Sequence, residues 1–384
     1  MGRQPRQRRA ECGLETMALP LIPRAVAHQP WLPMIVSSIL AGLGFLTLYS
    51  AAGGKLTPWA VPHIMRFGVF FLLAIGLSYV RPGWWKETVI YAYLGVMVLL
   101  VVVLGMGVVG GGARSWLDFG PIRLQPSELI KPVLVIALAT FYTHMPPSNI
   151  RTFGALWPAG LMIGIPVGVI LLQPDLGTSM LLTLSGITTM FLAGLPLMWF
   201  IGGALFVGGA IPAIFPFLMQ HQQERILILL DPSQDPLGSG YHITQSTIAI
   251  GSGGITGQGY LNGTQSHLQF LPEQHTDFIF SAFAEEWGLV GGLFLLFCLG
   301  LLLWWGMRVA MRAKGRYEKL LAGGLTSILF FYASINLMMV MGLAPVVGIP
   351  LPLVSWGGSA MMTVMICLGL LMGIERQNWR DSQR

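Results

Sequence analysis

The feature that most constrains this chain is a succession of apolar runs, each roughly 17 to 25 residues long, the length of a bilayer-spanning helix. Inside a bilayer, backbone N–H and C=O groups have no water to bond, so a segment that crosses it must be helical. Of the 384 residues, 54% are hydrophobic and only 10% are charged. The sequence therefore predicts an all-α polytopic membrane protein.

Ten transmembrane helices are predicted. They lie near residues 31–49, 64–80, 89–109, 127–143, 153–172, 177–193, 197–219, 278–306, 320–343 and 350–374. The connections between them are short, apart from one long loop at about 220–277. These boundaries give a basic N-terminal tail (1–30), a single transmembrane domain (31–375) and a C-terminal tail (376–384).

The distribution of Lys and Arg predicts the orientation of these spans. Sixteen of the 22 Lys and Arg residues fall on one side if the N-terminus is inside. They are Arg3, Arg6, Arg8, Arg9, Arg24, Arg81, Lys86, Arg151, Arg308, Arg312, Lys314, Arg316, Lys319, Arg376, Arg380 and Arg384. Cytoplasmic loops are enriched in such residues, so both termini are predicted to be cytoplasmic and the long loop extracytoplasmic. The net charge of +6 expresses this bias, and no nucleic-acid partner is expected.

An ionisable cluster stands at the start of the eighth predicted span, within residues 271–286. Its members are Glu273, His275, Asp277, Glu285 and Glu286. An ionisable group at membrane depth costs several kcal/mol unless it is paired or lines a wet cavity. The cluster is therefore a candidate functional site.

Two more candidate pairs lie just before the fourth span and in its first turns. Glu128 and Lys131 are three residues apart and so share a helix face, either as a structural ion pair or as a charged cavity wall for a polar substrate. Arg114 and Trp116 have the composition of an interfacial anchor, or they contact substrate. All four are taken as candidate substrate-binding residues.

Several shorter features predict local structure. Asp175 is positioned to cap the next helix, and residues 241–250 read as a short amphipathic helix. The glycines of 251–259 suit either a flexible loop or a phosphate-binding nest, of which the loop is favoured. The prolines and paired glycines of 344–359 break a helix at membrane depth, which is tolerated only beside protein or a wet cavity.

The chemistry of these residues leaves catalysis and transport equally open. We find no Ser-His-Asp order with a nucleophile elbow, no zinc-ligand spacing and no Walker loop. A lone carboxylate suits deprotonation of a hydroxyl. A proton-coupled carrier uses the same residue types as a relay.

Five motifs, spread over nearly the whole chain, resemble those of the SEDS family (shape, elongation, division and sporulation). They are Arg-Ser-Trp-Leu with Gln-Pro-Ser-Glu-Leu-Ile-Lys in 114–131, Gln-Pro-Asp-Leu-Gly-Thr at 173–178, Gly-Ser-Gly-Gly at 251–254, Leu-Pro-Glu-Gln-His-Thr-Asp-Phe-Ile-Phe at 271–280 and Pro-Leu-Val-Ser-Trp-Gly-Gly-Ser at 352–359. Gly-Thr-Gln-Ser at 263–266 resembles the elongation branch more than the division branch. The resemblance implies an inner-membrane peptidoglycan glycosyltransferase that polymerises lipid II on the outer face.

The resemblance also implies roles for residues and partners. Asp277 corresponds to the family's essential aspartate, the proposed general base, with Glu273 and His275 beside it as substrate-binding residues. A divalent cation (Mg or Mn, ligands unknown) and a class B penicillin-binding transpeptidase are expected. Trp356 and Gln274 stand where Tyr and Arg are commoner, which bears on substrate contacts. The alternatives are a lipid-precursor flippase, a scaffold for the transpeptidase, or a septal polymerase.

Overall fold

The computed structural model describes residues 29–110, 113–118, 120, 123–217, 223, 239–264 and 273–383. Eleven α-helices and three short strands lie in this part of the chain. The helices are α1 (Trp31–Ala51), α2 (Ala60–Ser78), α3 (Pro82–Met106), α4 (Pro126–His144), α5 (Phe153–Leu171), α6 (Leu176–Ala193), α7 (Leu197–Ile214), α8 (Ser239–Ser252), α9 (Ile279–Arg312), α10 (Arg316–Val340) and α11 (Gly358–Gln383). The strands are β1 (Val108–Gly110), β2 (Ala113–Asp118) and β3 (Arg123–Leu124).

Ten of these helices coincide with the ten predicted spans, and α8 is the predicted amphipathic helix. Eight helices of the described chain are long and apolar enough to cross a membrane: α1, α2, α3, α5, α6, α9, α10 and α11. Helix α4 falls short because it carries Glu128 and Lys131, and the apolar part of α7 is the shorter stretch Leu197–Phe206. The predicted class, a polytopic helical membrane protein, is confirmed.

The two ends of the described chain lie on the same face of the bundle. Gln29 Nε2 donates a hydrogen bond to the hydroxyl of Tyr79 at 2.7 Å. The Tyr79 ring in turn lies under the guanidinium of Arg376, whose Cζ is 3.7 Å from the ring centroid. Residues near both ends therefore meet at the C-terminus of α2. We call this side the terminal face.

A small antiparallel sheet between α3 and α4 was not predicted. Its strand order is β1-β2-β3, with Val108 opposite Trp116 and Leu117 opposite Leu124. The predicted third span, 89–109, is displaced: α3 begins at Pro82, ends at Met106 and gives way to strand. The helix stops at its C-cap residue Gly107, whose backbone is extended (φ −68°, ψ 147°), and glycine is a poor helix former.

Helix α9 is interrupted by Gly288, which takes φ +63° and ψ −162°. The glycine loop after α8 bonds to the backbone on both sides of this break. The bonds run from Gln258 N to Glu285 O (2.9 Å), Gly259 N to Glu286 O (3.1 Å), Leu289 N to Gly254 O (2.9 Å) and Val290 N to Ile255 O (3.2 Å). The loop is thus docked on α9 through its backbone, which disfavours the interpretation of it as a flexible loop, and the interpretation as a phosphate nest stays a prediction.

The last predicted span, 350–374, begins too early. Residues 344–357 form extended and turn structure, and α11 starts only at Gly358. Pro345, Pro350 and Pro352 cannot supply the amide donors that a helix needs here. This non-helical segment passes beside the start of α9 and there contributes backbone to the candidate site.

Candidate active site

The residues immediately before α9 form a compact turn that brings three predicted site residues together. Glu273, with φ +52°, accepts backbone hydrogen bonds at its carbonyl from Thr276 N (3.0 Å) and Phe278 N (3.4 Å). The turn therefore places Glu273, His275 and Asp277 within one short stretch at the head of α9. We call it the acidic turn (273–278).

Asp277 is fixed by backbone contacts from two other segments. Asn336 of α10, which is fully buried, donates from Nδ2 to the carbonyl oxygens of Asp277 and Ile349, both at 2.7 Å. Gly348 has φ +68°, and a side-chain carbon there would lie 3.4 Å from Asp277 Oδ2. The carboxylate therefore lies against bare backbone, and Asn336 clamps the acidic turn to the non-helical segment 344–357.

The environment of Asp277 adjusts its basicity. Burial raises the pKa of its carboxyl to about 7, and the negative charge of Glu273 adds to the rise. No cation contributes to this shift. A base whose pKa lies near the operating pH combines a useful fraction of the ionised form with strong proton affinity. Asp277 thus meets the electrostatic requirement for a general base.

His275 is anchored by aromatic stacking. Its ring lies parallel to that of Trp59, with 4.4 Å between centroids and 11° between planes. Burial lowers its pKa, an effect that Glu273, with Oε2 3.8 Å from His275 Nε2, partly offsets. His275 does not cap α9, because Phe278 is the N-cap residue of that helix and has no side-chain cap. The His275 carbonyl accepts from Trp356 N at 2.8 Å, which ties the acidic turn to the chain before α11.

Arg66 is a cation beside this site that the sequence reasoning missed. Its guanidinium carbon lies 4.0 Å from the ring centroid of Trp356. It also borders the first residue of α11, since a side-chain carbon at Gly358 would lie 3.6 Å from Arg66 Cζ. None of the three ion pairs in the described chain includes Arg66. An arginine less than two turns inside a span was the available signal, because such a charge marks a functional site by default.

Glu128 and Lys131 are buried and bonded to each other. Lys131 Nζ lies 2.6 Å from Glu128 Oε1 and 2.7 Å from the hydroxyl of Tyr332, which also bonds to Glu128 Oε2. The Lys131 and Glu128 side chains are 1% and 5% exposed. Thr363 of α11 donates to the Glu128 carbonyl at 3.1 Å. The pair joins α4, α10 and α11, an arrangement that favours the structural ion pair over the substrate-binding wall.

The remaining predicted residues lie apart from the acidic turn. Arg114 and Trp116 are on β2, where Trp116 is partly buried and the side chain of Arg114 falls outside the described atoms. Glu285 and Glu286 are buried in α9, and Glu286 bonds to Ser50 of α1. These two glutamates belong to the packing of the bundle.

A divalent cation finds few protein ligands here. The described residues contain no group of three or more His, Cys, Asp and Glu side chains suited to a metal. Magnesium, however, is commonly held by one or two carboxylates together with substrate phosphates and water. The exposed carboxylate of Glu273 fits that limited role, so the donor set is compatible with an ion that arrives with a phosphorylated substrate.

Comparison with known proteins places the chain in a family. The family model for FtsW, RodA and SpoVE, described as a cell cycle protein, matches residues 30–380. Peptidoglycan glycosyltransferase MrdB of Escherichia coli K12 is 43% identical over 349 residues, covering 89% of this chain and 92% of that protein.

Two solved structures share the fold. The first comes from work on the structural coordination of polymerization and crosslinking by a peptidoglycan synthase complex. It has a TM-score of 0.80 and 31% identity, and the match covers 92% of this chain and 99% of that chain. The second is the rod shape determining protein RodA of Thermus thermophilus, with a TM-score of 0.68 and 28% identity. This match covers 91% of this chain and 98% of that chain. The chain therefore belongs to the FtsW/RodA/SpoVE family, the SEDS family that its motifs resemble.

Proposed function

We propose that this protein is a peptidoglycan glycosyltransferase that polymerises lipid II into β-1,4 glycan strands at the outer face of the bacterial inner membrane. The name of the Escherichia coli relative supports the enzyme class. The motif at 263–266 and the rod-shape relative support a role in cell elongation.

The observation that carries the proposal is the placement of Asp277. Its carboxyl, with a pKa of about 7, lies at the head of α9 against the backbone of Gly348. Asp277 takes the proton from the acceptor sugar 4-hydroxyl as that oxygen attacks the anomeric carbon of the donor. The bond from this carbon to the pyrophosphate breaks, and the pyrophosphate leaves with the electron pair. One displacement inverts the anomeric carbon, so a single base is enough and no covalent intermediate is required.

Arg66 supplies the positive charge that this reaction needs. A pyrophosphate leaving group gains negative charge as the bond breaks, and fixed cations or helix N-termini stabilise such charge. Arg66 lies at the N-terminus of α11 and stacks on the ring of Trp356. The backbone N–H of Trp356 in turn donates a hydrogen bond to the carbonyl of His275. The anion-binding groups and the base are thus positioned by one connected segment.

A divalent cation, Mg or Mn, has Glu273 as its protein ligand in this scheme. When bound, it neutralises part of the pyrophosphate charge. The partner is a class B penicillin-binding transpeptidase, a proposal that the likeness to a peptidoglycan synthase complex supports.

The test is polymerisation of purified lipid II by the purified protein together with its transpeptidase. Asp277→Asn keeps the size of the side chain and removes its basicity, and we expect glycan formation to fall by at least a hundredfold. Glu87→Gln, at an exposed acid near the start of α3, is the matched control and should keep full activity. Glycan formation by Asp277→Asn at the wild-type rate would remove Asp277 from the mechanism. Passage of lipid II across vesicles without any glycan would favour a flippase instead.

A further inference from the structure

A cavity of about 310 Å³ lies on the terminal face, at the far ends of the helices that carry the candidate active site. It is bounded by the C-terminus of α2, the N-terminus of α3 and the last turns of α11. Arg66 and Gly358 lie near the starts of α2 and α11, whereas the cavity is lined by the ends of the same two helices. The cavity is therefore separate from the site that contains Asp277.

The most buried charge in the cavity wall is Arg376, which is 7% exposed. Its Nη1 donates to Ser78 Oγ at 3.3 Å, and its guanidinium stacks on Tyr79 at 3.7 Å. Neither partner is charged, and no ion pair of the described chain involves Arg376. A buried guanidinium without a carboxylate is costly, so its remaining N–H groups favour an anionic ligand.

The rest of the wall has the same polarity. Arg81 and Arg380 also line the cavity, against a single acid, Asp381. Helix α3 begins at Pro82, and Gly83 from its first turn is part of the wall. The N-terminus of a 25-residue helix adds a partial positive charge. Three guanidinium groups and a helix N-terminus thus converge on one small cavity.

The aromatic residues around the cavity indicate where it lies relative to a membrane. Tyr79 and Trp84 are 47% and 52% exposed, at the ends of apolar spans. Exposed Tyr and Trp in that position mark the headgroup level of a bilayer. Basic cavities between transmembrane helices on the cytoplasmic side bind the headgroups of anionic lipids. The cavity volume suits a headgroup and excludes the acyl chains, which would lie along the exposed faces of α2 and α3.

We propose that this cavity binds the phosphate of an anionic phospholipid headgroup from the leaflet at the terminal face. Arg376 supplies the buried contact, and Arg81 and Arg380 close over the phosphate from the surface. This site is independent of the glycosyltransferase reaction.

The test is native mass spectrometry of the full-length protein, with phosphatidylglycerol, cardiolipin, phosphatidylethanolamine and inorganic phosphate as separate probes. The variant is Arg81→Gln with Arg380→Gln, since both side chains are exposed and their replacement leaves the buried Arg376 in place. The control is Arg151→Gln with Lys319→Gln, which removes the same charge from exposed positions outside the cavity. Each lost arginine is expected to weaken anionic-lipid binding about fivefold, so the pair should weaken it roughly 25-fold.

We expect the wild type and the control to retain an anionic lipid, and the cavity variant to lose it while keeping its fold and its rate of glycan formation. Equal loss in the control variant would overturn the proposal, because it would show a general effect of surface charge. Binding of phosphatidylethanolamine as tight as that of phosphatidylglycerol would overturn it as well. Displacement of the lipid by millimolar inorganic phosphate would identify a free-ion site and reject the lipid.

Discussion

Breaking the buried contact between Glu128 and Lys131 should destabilise the protein strongly. In Lys131→Met, the Glu128 carboxylate keeps only its hydrogen bond to the Tyr332 hydroxyl. The free energy of unfolding should therefore fall by about 3 to 5 kcal/mol, the usual cost of leaving one member of a buried ion pair without its partner. Glu128→Gln strands the lysine in the same way. Tyr332→Phe removes a hydroxyl that bonds to both charges, which should cost about 1.5 to 3 kcal/mol.

The double variant Glu128→Gln with Lys131→Met removes both charges, so most of the lost stability should return. The measurement is unfolding in mixed micelles, followed by circular dichroism and analysed as a double-mutant cycle. Asp118→Asn is the control, since it breaks an exposed pair with Arg123 and should leave the unfolding midpoint unchanged. If both single variants unfold like the wild type but fail to make glycan, the network is not structural, and the prediction of a substrate-binding wall regains its support.

Three further predictions concern the candidate site and the break in α9. In the proposed mechanism, activity should fall as the pH drops through about 7, because the carboxyl of Asp277 then becomes protonated. Glu273→Gln removes a charge that raises the pKa of Asp277 in the free enzyme, before the cation arrives with the substrate. The acid limb of the kcat/KM profile should therefore move to lower pH, even though loss of the proposed cation ligand lowers the activity itself. An unmoved limb would show that another group titrates. Arg66→Gln should lower kcat/KM for lipid II by roughly 10- to 100-fold, with Arg66→Lys retaining part of the activity; equal kcat/KM values for Arg66→Gln and the wild type would exclude a role for Arg66 at the phosphate. Gly288→Ala should lower the free energy of unfolding by about 1 to 3 kcal/mol, because a φ of +63° is strained for alanine and the new carbon would meet the backbone of Gly257 and Ile255. The matched change Gly300→Ala, where nothing lies within 4 Å, should not destabilise the protein. Thermal unfolding of the two variants tests the difference.

The spans were predictable because the bilayer allows few solutions. A long apolar run that crosses it has to be helical, so hydropathy alone located ten helices. Asp175 was also correctly assigned as a cap, since its Oδ1 accepts from Thr178 N at 3.0 Å, a contact that depends only on local sequence. Local chemistry of this kind is readable from one chain segment.

The site was only partly predictable because its contacts join segments that are distant in sequence. The motif located Asp277 and its neighbours, but not that Asn336 clamps the acidic turn or that Trp59 stacks on His275. The spacing of Glu128 and Lys131 showed a shared helix face without showing what that face meets. Tyr332, about 200 residues further on, decides that question.

The arrangement of charge around Asp277 has a physical logic that follows from these contacts. A cation in direct contact with the carboxylate would stabilise its ionised form and lower its pKa, which would weaken it as a base. Here the acidic turn is held by backbone groups and by the neutral amide of Asn336, while Arg66 is held on the Trp356 ring. The positive charge is thus available to a phosphate without neutralising the base. In the proposed mechanism, moving the cation next to the carboxylate would therefore slow the reaction.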